Sequence, residues 1–308
     1  MRLTFGILMS LMVGAAHANT DLAAAIENVR TACGNISAEL SDMKKMAGIT
    51  TAVTGVGTVA GGVALGTGIA KANVDKEIEE WERILQELAI EQEKAKIVFT
   101  VINIEDVEKS LAQNPVAKLD LDNHLDELNK KSEQLSNVRT GTLAAATATN
   151  IAGAVMSGTN KVKGDLKQQI DECLASVKTL SNVRMQARID GSASETELAR
   201  AENIIRACDA WTTVDVSSIN KRSTGATVSS GIGAGLGLAG TITSASANSD
   251  GVRNGDDKQR EKNLNTAANV LAGGTTAASL SATIFNATQI SAIKRAATVA
   301  DECEGALK

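Results

Sequence analysis

Four cysteines are the residues of this chain whose type and spacing point to definite chemistry. Each closes one copy of a repeated motif: IENVRTAC at 26–33 returns as AENIIRAC at 201–208, and DEC at 171–173 returns at 301–303. An even number of thiols in an oxidising compartment is typical of structural disulfides. No two of these cysteines lie close together in the sequence, so no metal-binding motif is indicated. The predicted disulfide residues are Cys33, Cys173, Cys208 and Cys303.

The first residues of the chain indicate that it is exported. Arg2 is followed by the apolar run Leu3–Val13 and by Ala-His-Ala at 16–18. This order of positive, apolar and small residues is that of a cleaved signal peptide. We therefore predict a signal peptide at residues 1–18 and a mature chain that is periplasmic or secreted. Membrane association is a further expectation, which comes from the uncharged tracts described below.

No arrangement of residues in the sequence predicts catalysis. The mature chain has one histidine, His124, on a charged amphipathic segment where a solvated side chain is expected. The GxGxxG match at 235–240 stands in a glycine-rich tract, without the preceding strand that a dinucleotide site requires. We therefore predict that the protein is not an enzyme and has no catalytic, cofactor-binding or metal-binding residues.

The composition excludes several classes of function. The formal net charge is −5, so the sequence does not provide the basic surface that nucleic-acid binding requires. Tyrosine does not occur and aromatic residues make up 2% of the chain, which argues against a lectin, a glycosidase and a β-sandwich. One proline and abundant Ala, Glu, Lys and Leu favour long helices. We expect neither a nucleic-acid partner nor a small-molecule substrate.

Every cysteine lies on a heptad stripe, and these stripes predict the helices that position the thiols. Apolar residues recur at steps of four and three, which keeps one face of a helix against a partner helix, as in a coiled coil. Each thiol should therefore point into a contact between helices. The stripes are Leu22, Ile26, Val29, Cys33, Ile36, Leu40 and Met43; Leu166, Ile170, Cys173, Val177 and Leu180; Leu198, Ala201, Ile205 and Cys208; and Ile293, Ala296, Ala300, Cys303 and Leu307.

Two turn signals show which cysteines can face each other across an antiparallel hairpin. Cys208 and Cys303 lie at equal distances from Asn-Gly-Asp at 254–256. Cys173 and Cys208 lie at equal distances from Asp-Gly at 190–191. Both pairs are therefore compatible with the spacing.

The internal repeat favours Cys33–Cys173 with Cys208–Cys303, because each copy of a duplicated unit should be self-sufficient. The alternative, Cys173–Cys208 with Cys33–Cys303, stays open. Both predict an all-α protein of tandem duplicated long antiparallel helical hairpins. These hairpins would form an elongated, disulfide-linked bundle with helix tips of small residues.

The two repeats differ in length, which predicts how the chain is divided. The first repeat covers residues 19–190 and carries extra material, which we interpret as an inserted helical hairpin at about 73–138. The second repeat covers residues 191–308.

Four tracts contain no charged residue, and each exceeds the roughly 20 residues that cross a hydrocarbon core. Small residues four apart in these tracts, including overlapping GxxxG pairs, form flat helix faces that let two backbones approach closely. The tracts are Met46–Ala70, Thr140–Asn160, Ser223–Ser249 and Asn263–Ile293. The predicted helix-packing or membrane-contact residues are Gly57, Gly61, Gly62, Gly66, Gly231, Gly233, Gly235 and Gly237.

Two hypotheses of function follow. The first is a non-enzymatic exported helical protein whose Gly/Ala-rich hairpins self-associate or interact with a lipid membrane. Glycine in a water-exposed helix costs about 1 kcal/mol relative to alanine, and a membrane reduces the loss of backbone hydrogen bonds to solvent. Asparagines in the tracts and few leucines oppose constitutive spanning, so the hypothesis is one of conditional insertion. The second is a soluble cell-envelope adaptor that binds a protein partner through the 73–138 hairpin.

Overall fold

The protein is all-α, as the sequence predicts. The structure, a computed structural model, describes residues 21–99, 115–249, 252 and 258–308, and the regular structure within these ranges is helical. The predicted signal peptide lies outside these residues. The helices are α1 at residues 21–33, α2 at Ile36–Phe99, α3 at Pro115–Thr159, α4 at Gly164–Ile189, α5 at Glu195–Asp209, α6 at Val216–Ala247 and α7 at Lys258–Leu307, with a 3₁₀ turn at Ala210–Thr213.

The predicted turn at 190–191 separates α4 from α5. Gly191 has a φ of 63°, and the Ser192 N–H donates to the Ala187 carbonyl at 3.0 Å, as in a left-handed glycine cap. Ser194 then begins the next helix with a capping box. Its Oγ accepts from the Glu197 N–H, and the Glu197 carboxylate accepts from the Ser194 N–H at 2.9 Å.

The region predicted as an inserted hairpin is a continuation of two long helices. α2 runs without interruption past residue 73. α3 begins at Pro115, a residue type that favours the first turn of a helix, and runs past residue 138. Residues 100–114, where the hairpin would turn, lie outside the described residues.

The chain divides into two compact units, and each takes segments from both sequence repeats. The first unit contains the described residues up to Val53, together with Ala152–Ser229 and Ser281–Lys308. The second contains Thr54–Ile151 and Ser230–Leu280. The long helices α2, α3, α6 and α7 each contribute residues to both units.

The first unit has an apolar core that is built from the predicted heptad stripes. Leucine, isoleucine and valine side chains pack with all four cysteines in one cluster, and Trp211 is buried within it. On α5, Ile204 is fully buried and its neighbour Ile205 is partly buried, so the stripe there is centred one residue earlier than predicted. The remaining stripes lie in the core as expected.

Four antiparallel helices form the second unit, and contacts between them establish their directions. Arg139 of α3 contacts Ser244 of α6, whereas Asn150 of α3 lies beside Gly233 of α6. Residue numbers rise along one helix as they fall along the other, so α3 and α6 run in opposite directions. α2 and α7 are related in the same way, through Gly61 with Thr276 and Gly68 with Asn269.

Candidate functional site

The structure pairs the cysteines in the arrangement that the repeat favoured. Cys33 of α1 is bonded to Cys173 of α4, with Cα atoms 4.9 Å apart. Cys208 of α5 is bonded to Cys303 of α7, with Cα atoms 4.5 Å apart. Both bridges lie within the first unit. Two disulfides indicate an oxidising environment for the folded chain.

Both bridges lie at one level of the first unit. The sulfur atoms of Cys33, Cys208 and Cys303 lie within 4.8 Å of one another, and all four cysteines are buried. Metal ions bind thiolates, and a sulfur in a disulfide is not a thiolate. The cluster is therefore a covalent link between helices, and closing loops of this length stabilises a fold by about 4–5 kcal/mol per bridge in the chain-entropy model.

The predicted glycines of α2 are divided between two faces of the helix. A Cβ atom at Gly57 would lie 2.7 Å from a threonine hydroxyl of α3, and one at Gly61 would lie 2.8 Å from a threonine hydroxyl of α7. A Cβ atom at Gly62 or Gly66 would meet no atom within 4 Å. One GxxxG pair therefore allows close helix packing, and the other faces outward and is uncovered.

The predicted glycines of α6 show the same division. A Cβ atom at Gly233 would lie 2.8 Å from an asparagine amide of α3, and one at Gly237 would overlap the hydroxyl of Thr147. The positions Gly231 and Gly235 have nothing within 4 Å of a Cβ atom. Both helices thus present one GxxxG pair to the interior of the second unit and one to its exterior.

Polar groups occupy much of the interior of the second unit. Asn150 of α3 and Ser279 of α7 are both fully buried and exchange two hydrogen bonds. The Asn150 Nδ2 donates to the Ser279 Oγ at 2.8 Å, and this Oγ lies 3.0 Å from the Asn150 Oδ1. Groups that are paired in this way do not need water as a partner.

A second polar layer centres on Arg139, which is fully buried. Its guanidinium donates to the Ser244 Oγ at 3.0 Å, the Asn269 Oδ1 at 3.1 Å and the Asn265 Oδ1 at 2.7 Å. The Asn269 amide in turn donates to the Gly68 carbonyl at 3.3 Å. These bonds connect all four helices of the second unit.

Branched apolar side chains lie on the outside of this unit. Val59 of α2 is 67% exposed, Ile242 of α6 is 59% exposed and Val270 of α7 is 70% exposed. Water-soluble bundles have the opposite distribution, with an apolar stripe that faces the core. Further exposed large hydrophobic residues of the unit are Val56, Val63, Ile69, Ile90, Val138, Ile151, Ile232, Leu238 and Leu280.

Within the described residues, the stretch Asp21–Glu87, which comprises α1 and most of α2, is long and apolar enough to cross a membrane by length and composition. Only 28% of its most apolar window is buried, whereas the core helix of a water-soluble bundle is mostly buried.

Charged groups follow directly after the uncharged tract of α2. The Lys71 Nζ binds an Asp75 carboxylate oxygen at 2.7 Å and lies 3.6 Å from Glu261 of α7.

Two residues have contacts that the sequence analysis did not predict. The His124 ring packs edge-on against Trp81 of α2, with ring centroids 5.5 Å apart, so it has an aromatic neighbour where a solvated side chain was expected. The buried position of Arg139 was also missed. The signal that could have indicated it is the place of this residue directly before an uncharged tract.

These features define the class of the protein as an all-α helical bundle with two disulfides. Its second unit buries polar groups beside alanine and leucine, and it exposes branched apolar side chains. No protein-family model, no curated protein and no solved structure matches the chain.

Proposed function

We propose that this is an exported, non-enzymatic helical protein whose second unit inserts into a lipid membrane and associates there with other copies. The observation that carries the proposal is the arrangement of side chains in that unit. Branched apolar side chains such as Val59, Ile242 and Val270 are exposed, while hydroxyl and amide groups such as those of Ser279 and Asn150 are buried. In a bilayer the exterior would contact lipid, and the polar groups would keep the partners they already have.

The free energy of transfer favours lipid contact for this exterior. Fully burying a Val, Leu or Ile side chain contributes about 1.5–3 kcal/mol. Because Val59 and Ile242 are between half and two thirds exposed, each would contribute roughly half of that amount. The tract Met46–Ala70 is longer than the roughly 20 residues that a hydrocarbon core requires, its part Thr54–Ala70 lies in the second unit, and charged residues begin at Lys71.

The outward glycine pairs are the proposed contact between copies of the chain. Gly62 with Gly66, and Gly231 with Gly235, leave flat helix faces with no side chain above them. In lipid, where the hydrophobic effect between helices is absent, such faces permit the close packing that drives helix association.

A periplasmic or secreted location is part of the proposal. Its support is the predicted signal peptide at 1–18 together with two disulfides, which form in oxidising compartments.

A flotation experiment tests membrane insertion. Oxidised mature protein is mixed with vesicles of phosphatidylcholine and phosphatidylglycerol, at several pH values, and centrifuged through a density gradient. We expect the wild type to float, and Val59→Lys to float less, because it places a charge on the apolar exterior. The matched control is Asn73→Lys on the same helix, which adds the same charge at an exposed position beyond the uncharged tract.

Wild-type protein that stays in the soluble fraction under every condition would overturn the membrane proposal. That result would favour the soluble adaptor hypothesis. Deletion of the 73–138 segment should then abolish capture of an envelope protein. Equal flotation of the two lysine variants would show that the apolar exterior is not the inserting surface.

A further inference from the structure

Two groups of buried polar side chains in the second unit lie on either side of a small apolar cluster, called here the dry layer. Asn150 and Ser279 form the first polar layer, and Thr147 is buried one helical turn from Asn150. The buried Ser230 hydroxyl of α6 has no hydrogen-bond partner among the described residues. Arg139 centres the second polar layer, eleven residues before Asn150 on α3.

The dry layer is made by Leu143, Ala64 and Ala272, all fully buried, with Leu65 packed against them. Leu143 lies one turn from Arg139 on one side and one turn from Thr147 on the other. A narrow apolar layer between polar ones is the arrangement that blocks ion passage in channels by excluding water.

Arg139 is the charged group next to the dry layer, and its hydrogen bonds go to neutral oxygens of Ser244, Asn265 and Asn269. These bonds use three of the five N–H groups of a guanidinium. The nearby Asp75 carboxylate accepts from the Lys71 ammonium and from the Ser132 hydroxyl, and its side chain is 31% exposed. Among the described residues no carboxylate contacts Arg139 directly, and Asp75 acts on its charge only from a distance.

We propose that the interior of the second unit is a closed path for small inorganic anions such as chloride. Arg139 is the anion-binding group and the Leu143 layer is the gate. The proposal rests on the proposed membrane insertion and adds an activity to it. Polar side chains along the path replace part of the hydration shell of the ion, and a buried positive charge favours anions over cations.

Opening requires the helices to move apart at the dry layer, where small side chains hold them in close contact. Replacing Leu143 by a small residue removes the largest fully buried side chain of this layer and should admit water. Replacing Arg139 by a neutral residue should leave that opening in place and remove the charge that selects anions.

The test measures chloride and potassium flux across the same vesicles that are used for flotation, with each variant reconstituted as oxidised mature protein. We expect Leu143→Ala to raise chloride flux by at least about tenfold over the wild type, because the dry layer is the barrier. Met185→Ala, which truncates an exposed side chain of α4 in the first unit, is the control and should leave flux unchanged. Under a KCl gradient, the current carried by Leu143→Ala should reverse at a potential close to the chloride equilibrium potential.

The double variant Leu143→Ala with Arg139→Gln should conduct without preference for chloride, and Leu143→Ala with Arg139→Lys should keep the preference. Helical circular dichroism and flotation of each variant show that it is folded and inserted. Release of a trapped large dye by Leu143→Ala would indicate general leakage and would overturn the proposal.

Failure of the path and failure of insertion give different results. If the protein floats but Leu143→Ala conducts no better than the wild type, or prefers potassium, the path is wrong and membrane insertion stands. If no form of the protein floats, both proposals are wrong.

Discussion

Two adjacent glycines of α2 provide a direct test of the helix packing in the second unit. Gly61 faces α7, where a Cβ atom would lie 2.8 Å from the Thr276 Oγ1 and 3.2 Å from its Cα. Gly62, the next residue, has no atom within 4 Å of a Cβ position. We expect Gly61→Ala to be less stable than Gly62→Ala, although the chemical change is identical.

The difference in stability between the two variants follows from two contributions. Alanine is favoured over glycine in a helix interior by about 1 kcal/mol, and this gain applies equally to both variants. Only Gly61→Ala adds a close contact to the backbone of Thr276, which rotation of the threonine side chain cannot relieve. Overpacking of a close-fitting interior costs about 1–3 kcal/mol. Because the helix-propensity gain cancels in the comparison, the two variants should differ by about 1–3 kcal/mol.

Thermal denaturation followed by circular dichroism at 222 nm measures the difference. Gly62→Ala should melt above the wild type, and Gly61→Ala should melt below Gly62→Ala by roughly 2–4 °C for each kcal/mol. A second pair on α6, Gly237→Ala against Gly235→Ala, repeats the comparison against Thr147 of α3. Equal melting temperatures within both pairs would refute the assignment of inward and outward faces.

Three further predictions concern the covalent links, the polar interior and a helix cap. The double variant Cys208→Ser with Cys303→Ser should lose about 4–5 kcal/mol of stability, measured by urea denaturation. Peptide mapping without reductant should still recover the Cys33–Cys173 bridge. Ser230→Ala should raise the melting temperature, because it removes a buried hydroxyl without a partner among the described residues and so recovers about 1 kcal/mol. Hydrogen bonds from the backbone and side chain of Ser194 lower the pKa of Glu197 from its ordinary value of 4.5. The ionised carboxylate therefore stabilises the fold above pH 4.5, and this contribution is lost as the pH falls through the lowered pKa. Ser194→Ala should therefore lower the melting temperature at neutral pH, and its difference from the wild type should shrink in acid.

The first unit could be predicted from the sequence because its core obeys the usual hydrophobic pattern. Leu166, Ile170 and Val177 recur at heptad spacing around Cys173, and all of them are buried in the cluster. The disulfide pairing required one further argument, the self-sufficiency of each repeat, because spacing alone allowed two arrangements. The turn at Gly191 was predicted because only glycine adopts a positive φ without strain.

The second unit could be predicted only in part, because its buried side chains do not carry a hydrophobic signal. The GxxxG pairs Gly57/Gly61 and Gly62/Gly66 follow one another in the sequence. Successive helix residues are rotated by about 100°, so the two pairs lie on different faces, and both faces carry glycine. Which pair faces inward depends on partners from distant segments, here α3 and α7. The change from uncharged to charged residues near residue 73 resembles a boundary in the sequence, but α2 runs past it without interruption, because the Glu and Lys residues that follow are good helix formers.

The difference between the two cores also bears on function. A core of leucine, isoleucine and cysteine, as in the first unit, is stabilised by removing apolar surface from water. The second unit gains less from this effect, because Val59, Ile242 and Val270 stay outside, and it depends more on hydrogen bonds such as that between Asn150 and Ser279. Transfer to lipid would increase the hydrophobic contribution to this unit, since the exterior side chains would leave water. The interior hydrogen bonds would persist in the apolar medium. The exposed branched apolar residues therefore give the proposed binding of a bilayer through this unit a thermodynamic reason.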